Sequence, residues 1–245
     1  MLCLSARSLA TCLLTFTSTL ALADPGYYVV TAYDNEGQRS VDFRYWTVKS
    51  PGSPAVLWPE VGVGYGVTSR WYTEVYESFI GTMDTAFKRS SLNWQNEFLL
   101  TQGGLPVDIA MHATLIRYPD ADDGTTLEYG PVLQTDVGRT QLNLNLFFEH
   151  TWGEYASART QMKYQWQAKY RWTPAVQFGA QGFGELGDWA KWAPRDQQSH
   201  RVGPALFGRW EVGRGQALLY QAAWLVGSTY GENGNMFSLR VQYAF

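Results

Sequence analysis

The last eight residues, "SLRVQYAF" (238–245), alternate without a break: Leu239, Val241, Tyr243 and Phe245 are apolar, and Ser238, Arg240, Gln242 and Ala244 between them are polar or small. Phe237 extends the apolar set by one step. A period of two puts successive side chains on opposite faces of an extended strand, whereas helical wrapping would mix the two sets. The chain therefore ends on a strand with one apolar and one wet face, its final aromatic on the apolar side.

The same pattern recurs upstream. In "TQMKYQWQAKYRW" (160–172), Gln161, Lys163, Gln165, Gln167, Lys169 and Arg171 share one face, and Met162, Tyr164, Trp166, Ala168, Tyr170 and Trp172 the other. "QLNLNLFFE" (141–149) puts Leu142, Leu144, Leu146 and Phe148 opposite Gln141, Asn143, Asn145 and Glu149. "VDFRYWTV", "EVGVGYGV", "SLNWQNEFLL" and "VDIAMHATLI" are noisier examples.

At the other end, Arg7 precedes an apolar stretch from Leu9 to Leu22 and the small-x-small site Ala21-Leu22-Ala23. This predicts a secretory leader over 1–23, too short for a membrane span of roughly 20 residues. Cys12 lies near the start of the apolar stretch instead of following it, and Thr11 precedes it, so no lipoprotein box is read there. Both cysteines, Cys3 and Cys12, fall in the leader, so the exported chain needs a stabiliser other than disulfides. The leader carries Arg7 and no acid, which leaves 18 basic against 22 acidic residues, a net charge of −4 with neutral histidines. Nothing here reads as nucleic-acid binding.

With 16% aromatics, 24 glycines and no later run of 18 apolar residues, the exported chain offers no transmembrane helix. Strands with alternating faces cross a bilayer only as a closed barrel, which satisfies its own backbone hydrogen bonds. The pattern predicts an all-β, antiparallel transmembrane barrel of about twelve strands. Short periplasmic turns are expected at 68–70, 102–106, 136–139, 172–174 and 212–215, and longer extracellular loops at 49–58, 81–90, 119–125, 151–158, 187–200 and 228–235. The domains are then leader 1–23, periplasmic N-terminal lead 24–38 and barrel 39–245, the lead either hanging in the periplasm or tucked into the barrel mouth. Pro131 and Pro204 each open a Gly-Pro strand ending in Val-Gly-Arg. Each removes a ladder donor, so each predicts a bulge.

The closing strand, through Phe237, Leu239, Val241, Tyr243 and Phe245, resembles the C-terminal assembly signal of Gram-negative outer-membrane β-barrel proteins. The resemblance implies an outer-membrane location, contact with its lipids and recognition by the barrel-insertion machinery. It says little about activity. "GYGVTSRWYTE", "WQNEFLLT" and "QGFGELGDW" are also similar to uncharacterised proteobacterial barrels near the set labelled with the MetA pathway of phenol degradation. Trp71, Tyr72, Trp94, Trp152, Trp172, Trp210, Tyr230 and Phe245 fall near strand ends and are expected in the interfacial aromatic girdles.

With the apolar face outward, the other face lists the interior: Asp42, Arg44, Glu60, Glu97, Asp108, Glu128, Glu149, Arg159, Lys163, Lys169, Arg171, Glu185, Arg201, Arg209, Glu211 and Arg240. Acids and bases are balanced, which points to ion pairs across the lumen, with the basic stripe of 161–171 facing Glu128 and Glu149. Two readings follow: a lumen filled by these pairs, or a narrow polar path for small solutes. The stripe Glu60, Gly62, Gly64 and Gly66 reads as a site of sheet curvature or as a groove for a neighbouring side chain, with curvature favoured.

Other chemistry is sparse. His112 and Thr114 share a face, which resembles the two-apart His and Ser of outer-membrane phospholipases, but here the hydroxyl is Thr and no third, orienting residue is apparent from a motif. Trp189 and Trp192 in the 187–200 loop offer a surface-binding alternative. "DADDG" (120–124) lacks the spaced Glu of a calcium loop, three scattered histidines make no metal site, and no phosphate-binding glycine loop occurs, so no metal and no cofactor is expected.

Overall fold

The computed structural model describes residues 27–32, 36–120, 122–154, 159–229 and 231–245. The expected leader at 1–23 lies outside them. Twelve antiparallel strands form one closed barrel: β1 (Arg39–Lys49), β2 (Val56–Thr68), β3 (Trp71–Thr82), β4 (Thr85–Leu99), β5 (Asp108–Arg117), β6 (Thr125–Val137), β7 (Thr140–Trp152), β8 (Gln161–Tyr170), β9 (Gln177–Asp188), β10 (Ser199–Gly213), β11 (Gln216–Thr229) and β12 (Glu232–Ala244). Each strand pairs with its sequence neighbours, and β12 returns to β1 from Ser40↔Ala244 to Lys49↔Asn235. Past the last ladder pair, the Arg39 N–H donates to the Phe245 carbonyl at 2.8 Å and the Phe245 N–H to the Arg39 carbonyl at 2.9 Å.

Alternation decides which side chains face out. Val41 and Phe43 on β1, Val61 and Val63 on β2, Leu142 and Leu144 on β7, and Trp224 and Val226 on β11 are all exposed on the outer wall. Asp42 and Arg44, Glu60, Asn143 and Asn145 between such residues are buried inside. A wall apolar outside and polar inside has its low-energy solvent in lipid. The protein is an outer-membrane β-barrel.

The two ends of the barrel are less different than the turn residues suggest. On the end where β1 begins and β12 finishes, periplasmic by the rule for such barrels, β2–β3, β6–β7 and β10–β11 are joined by two residues each, but β4–β5 needs eight, 100–107. On the other end, the expected long loops at 81–90 and 228–235 are mostly strand. β3 and β4 stay paired to Thr82↔Thr85, and β11 and β12 to Thr229↔Glu232, as two long hairpins. Their alternation continues beyond the roughly 10 residues a bilayer requires, so pairing continues with it. Arg89 and Glu77 hold one such arm together at 2.8 Å.

The bulges expected at Pro131 and Pro204 do not occur. The β6–β7 register passes unchanged from Tyr129↔Phe148 to Val132↔Asn145, and β10–β11 from Val202↔Val226 to Ala205↔Ala223. No residue is inserted; the ladder omits the Gly-Pro pair on one side. Gly130 and Gly203 make this possible, because a Cβ there would lie 2.0 Å from the Leu146 carbonyl oxygen and 1.9 Å from that of Trp224. Tyr72, expected in a girdle, is an inward residue of β3 and is buried, its hydroxyl 3.0 Å from Ser40 Oγ. The glycine stripe of β2 is room for such neighbours and not curvature alone. A Cβ on Gly64 would strike the Tyr72 hydroxyl at 2.0 Å, and one on Gly62 the Tyr76 Cβ at 2.7 Å. Tyr230 lies outside the described residues.

Because the Trp224 carbonyl is backbone and cannot swing away, Gly203→Ala should cost about 1–3 kcal/mol of stability. Gly104→Ala, with nothing near its Cβ, should leave the midpoint unchanged. Urea unfolding of the refolded protein in lipid vesicles measures both; equal midpoints would show that β10 and β11 part freely at the Gly-Pro step.

Candidate functional site

The lumen is not lined only by its wall. Residues 27–32, "YYVVTA", lie inside the barrel, with Tyr27, Tyr28, Val29, Val30 and Ala32 all buried. Four consecutive apolar residues give an extended segment no wet face, which suits a strand covered on both sides. Its odd residues join one apolar cluster: Tyr27 and Val29 with Trp46, Trp58, Phe183, Phe207, Leu225 and Met236. Its even residues join another: Tyr28, Val30 and Ala32 with Leu99, Ala110, Val132 and Phe147. The segment thus divides the lumen. Tyr27 lies between the aromatic pair Trp46–Trp58, stacked at 4.1 Å, and Phe183 at 5.4 Å.

The wall hydrogen-bonds this segment with side chains that would otherwise face water. Val30 N–H donates to Gln165 Oε1 at 3.3 Å, Ala32 N–H to Gln134 Oε1 at 3.3 Å, and the Tyr28 hydroxyl to Gln95 Oε1 at 2.6 Å. Asn145 Nδ2 donates to the Val30 carbonyl at 3.0 Å, and Ser238 Oγ to the Tyr27 carbonyl at 2.5 Å. Gln134 and Ala32 sit toward the end where β1 begins and Tyr27 deeper, so the segment runs into the barrel from that end.

Charged side chains gather in three groups around it. Arg44 bridges Asp42 at 3.1 Å and Glu74 at 2.6 Å, and Arg240 pairs with the same Asp42. The Tyr28 ring lies 4.0 Å from the Arg44 guanidinium carbon and 5.1 Å from that of Arg240, a wedge between two cations. Lys163 holds Glu128 and Glu149, each at 2.5 Å. Arg201 contacts the Tyr27 hydroxyl and lies 3.7 Å from Glu185, to which that hydroxyl donates at 2.9 Å. Glu60 accepts from Ser78 at 2.7 Å. Glu74 was missed in the sequence, although "YTEVYESF" (72–79) alternates well enough to place it inside.

Five of the expected interior charges sit elsewhere. Arg159 precedes β8 and is 71% exposed, 3.7 Å from Asp188. Asp108 caps the 100–107 turn through the Gly103 N–H at 2.8 Å. Arg171 pairs with Asp136 at 2.8 Å, and Arg209 with Glu211 at 2.6 Å, on the periplasmic rim. Parity alone placed them inside, because it fixes a residue's face but not its depth.

His112 has the orienting carboxylate that the motif search lacked. Glu97, its cross-strand partner on β4, meets Nδ1, while Nε2 lies 3.0 Å from Thr114 Oγ1 and 3.1 Å from Glu128 Oε1. Both ring nitrogens lie within hydrogen-bond distance of carboxylates, and Nε2 is shared between Glu128 and Thr114, so neither nitrogen is given to Thr114 alone. Phe147 stacks on the ring at 4.4 Å, and both His112 and Thr114 are 1% exposed. The cluster is built to neutralise buried charge.

Beside the lead lies a cavity of about 300 Å³, lined by Tyr28, Val29, Lys169, Phe207, Gln221 and Arg240 among others.

No protein-family model and no curated protein sequence matches the chain. Among solved structures it is similar to the COG4313 outer membrane channel from Pseudomonas putida F1, with a TM-score of 0.60 at 10% identity over 91% of this chain and 98% of that one. The translocator domain of autotransporter NalP from Neisseria meningitidis follows at a TM-score of 0.49 and 14% identity, covering 86% and 89% of the two chains. Pseudomonas aeruginosa OccK11 follows at 0.40 and 11%, covering 84% and 66%. At these identities the first likeness establishes the shared fold.

Removing the central cation of a buried charge group leaves its acids unneutralised. Lys163→Met should destabilise the barrel by about 3–5 kcal/mol. Adding Glu128→Gln and Glu149→Gln to it should restore most of the loss, read from urea midpoints.

Proposed function

We propose that this protein is an outer-membrane channel for small solutes, held closed by its own residues 27–32. The observation that carries the reading is the chemistry of the wall behind the lead. Gln95, Gln134, Asn145 and Gln165 spend hydrogen bonds on a six-residue segment that is continuous with the wall only through its C-terminal side. With the segment out, those amides border a wet path and can bond water instead. The similar Pseudomonas putida barrel is described as an outer membrane channel, which favours the same direction.

The alternatives have less behind them. A lipid hydrolase centred on His112 and Thr114 needs an accessible hydroxyl, and both residues are buried, with Phe147 stacked on the imidazole. For surface binding by the 187–200 loop, Trp189 is turned against the outer-wall residue Phe148, with ring centroids 6.2 Å apart, as an interfacial side chain would be.

The test is single-channel conductance in planar bilayers, comparing the chain with a variant that begins at Glu36 and with the full-length Val30→Asp variant. Gel heat-modifiability confirms that each barrel is closed. The expected result is a nearly silent parent and discrete, reproducible steps from both variants. Folded variants that stay silent would overturn the channel reading in favour of a filled barrel, and a parent that conducts as well as they do would show that the lead is not the barrier.

A further inference from the structure

We propose that the cavity beside the lead is a binding site for a small monoanionic carboxylate with a compact apolar body, recognised by Lys169. This names the solute class of the channel and rests on that reading for its use, although binding itself does not require conduction.

Charge selects the ligand's sign. The lining holds four cations, Lys169, Arg171, Arg209 and Arg240, against the single acid Glu97. Glu97 is engaged by His112, and the acids that pair with the three arginines, Asp136, Glu211 and Asp42, are not part of the lining. With the arginines neutralised by these acids, the net positive charge of the lining is that of Lys169, and a low-dielectric wall concentrates its field. Lys169 differs from its neighbours: among the described residues no carboxylate lies within ion-pair distance of it, and its ammonium sits 5.6 Å from the Phe207 ring. A lysine directed into a lumen where nearly every other charge is paired is the one that can accept a new anion without breaking an existing bridge.

The second polar contact is on β11. Gln221 Nε2 is buried at the cavity wall and has no hydrogen-bond partner among the described residues. An ammonium and an amide N–H₂ together supply donors for the two oxygens of one carboxylate. The apolar lining fixes the rest: Phe207, Leu219, Tyr28 and Val29 offer ring and aliphatic surface to a body that a volume of about 300 Å³ keeps to the size of a single ring or a short branched chain. A ligand seated there also lies against Tyr28 and Val29, so its arrival touches the segment that closes the lumen.

The probe is 4-fluorobenzoate, followed by ¹⁹F NMR line broadening with the full exported chain in lipid nanodiscs. Its neutral isostere 4-fluorobenzamide is the charge control. The expected result is saturable binding of the carboxylate, none of the amide, at least tenfold weaker binding in Lys169→Gln, and retention in Lys169→Arg. Gln221→Leu should weaken binding severalfold and serves as the second variant if Lys169→Gln does not fold. Absence of carboxylate binding, equal binding of the amide, or Lys169→Gln and Gln221→Leu variants that bind like the parent would overturn the assignment. The two proposals fail separately: a truncated chain that conducts while 4-fluorobenzoate does not bind removes only the solute class, and binding to a barrel that never conducts removes only the channel.

Discussion

The pair of backbone hydrogen bonds between Arg39 and Phe245 is the contact on which the rest depends. In hydrocarbon an unpaired N–H or C=O costs several kcal/mol, so a sheet can cross a bilayer only if its first and last strands find each other. The C-terminal residue supplies both a donor and an acceptor to that seam. Its ring, stacked on Tyr243 at 5.4 Å, remains on the outer wall at the barrel's rim. A chain shortened at this point would leave Arg39 without its partner, and the seam would open from the end where β1 begins. This gives the backbone of Phe245 a physical role within the folded barrel.

Closure creates the second constraint, an interior that must be filled or wet. A twelve-stranded wall is wide enough that inward side chains reach one another only in groups, and the charges accordingly form clusters about Asp42, Lys163 and Glu185. Between the clusters lies space that the wall does not span. Residues 27–32 occupy it with apolar side chains on two sides and backbone groups bonded to wall amides. Tyr28 links the two kinds of filling, its ring between Arg44 and Arg240 and its hydroxyl on Gln95.

The strand faces were legible because period two is strict where one side meets lipid: Leu142, Leu144 and Leu146 against Gln141, Asn143 and Asn145 need no tertiary information. Depth was not legible. Arg209 and Glu211 have the parity of lumen residues but sit where the lumen has already opened to water. Loop lengths were misread for a related reason. Turn-forming composition at 81–90 and 228–235 marks where a chain can turn, while pairing partners decide where it does, and two long hairpins form there. The lead's position was undetermined because "YYVV" states only that both its faces must be covered. The Glu97–His112 contact was hidden because its members are 15 residues apart and meet through strand register alone.

A segment that closes a lumen by hydrogen-bonding to amides differs from one that closes it by ion pairs. Withdrawing a charged plug would strand its buried counter-ions, at several kcal/mol each. Gln134, Asn145 and Gln165 lose only neutral hydrogen bonds, which water entering behind the lead replaces at little net cost. The main resistance to opening is then apolar: Tyr27, Val29 and Val30 must leave their clusters, and burial of this kind stabilises by about 25 cal/mol per Å². Of the ionic groups of the wall, Arg201 and Glu185 lose the Tyr27 hydroxyl between them, and the other two keep their partners. Arg44 keeps Asp42 and Glu74, and Lys163 keeps Glu128 and Glu149, whether or not Tyr28 is between them. The barrel's charges therefore hold the wall in one shape, and in the channel proposed above a short apolar strand, bound by weaker and exchangeable contacts, sets whether the space inside is open.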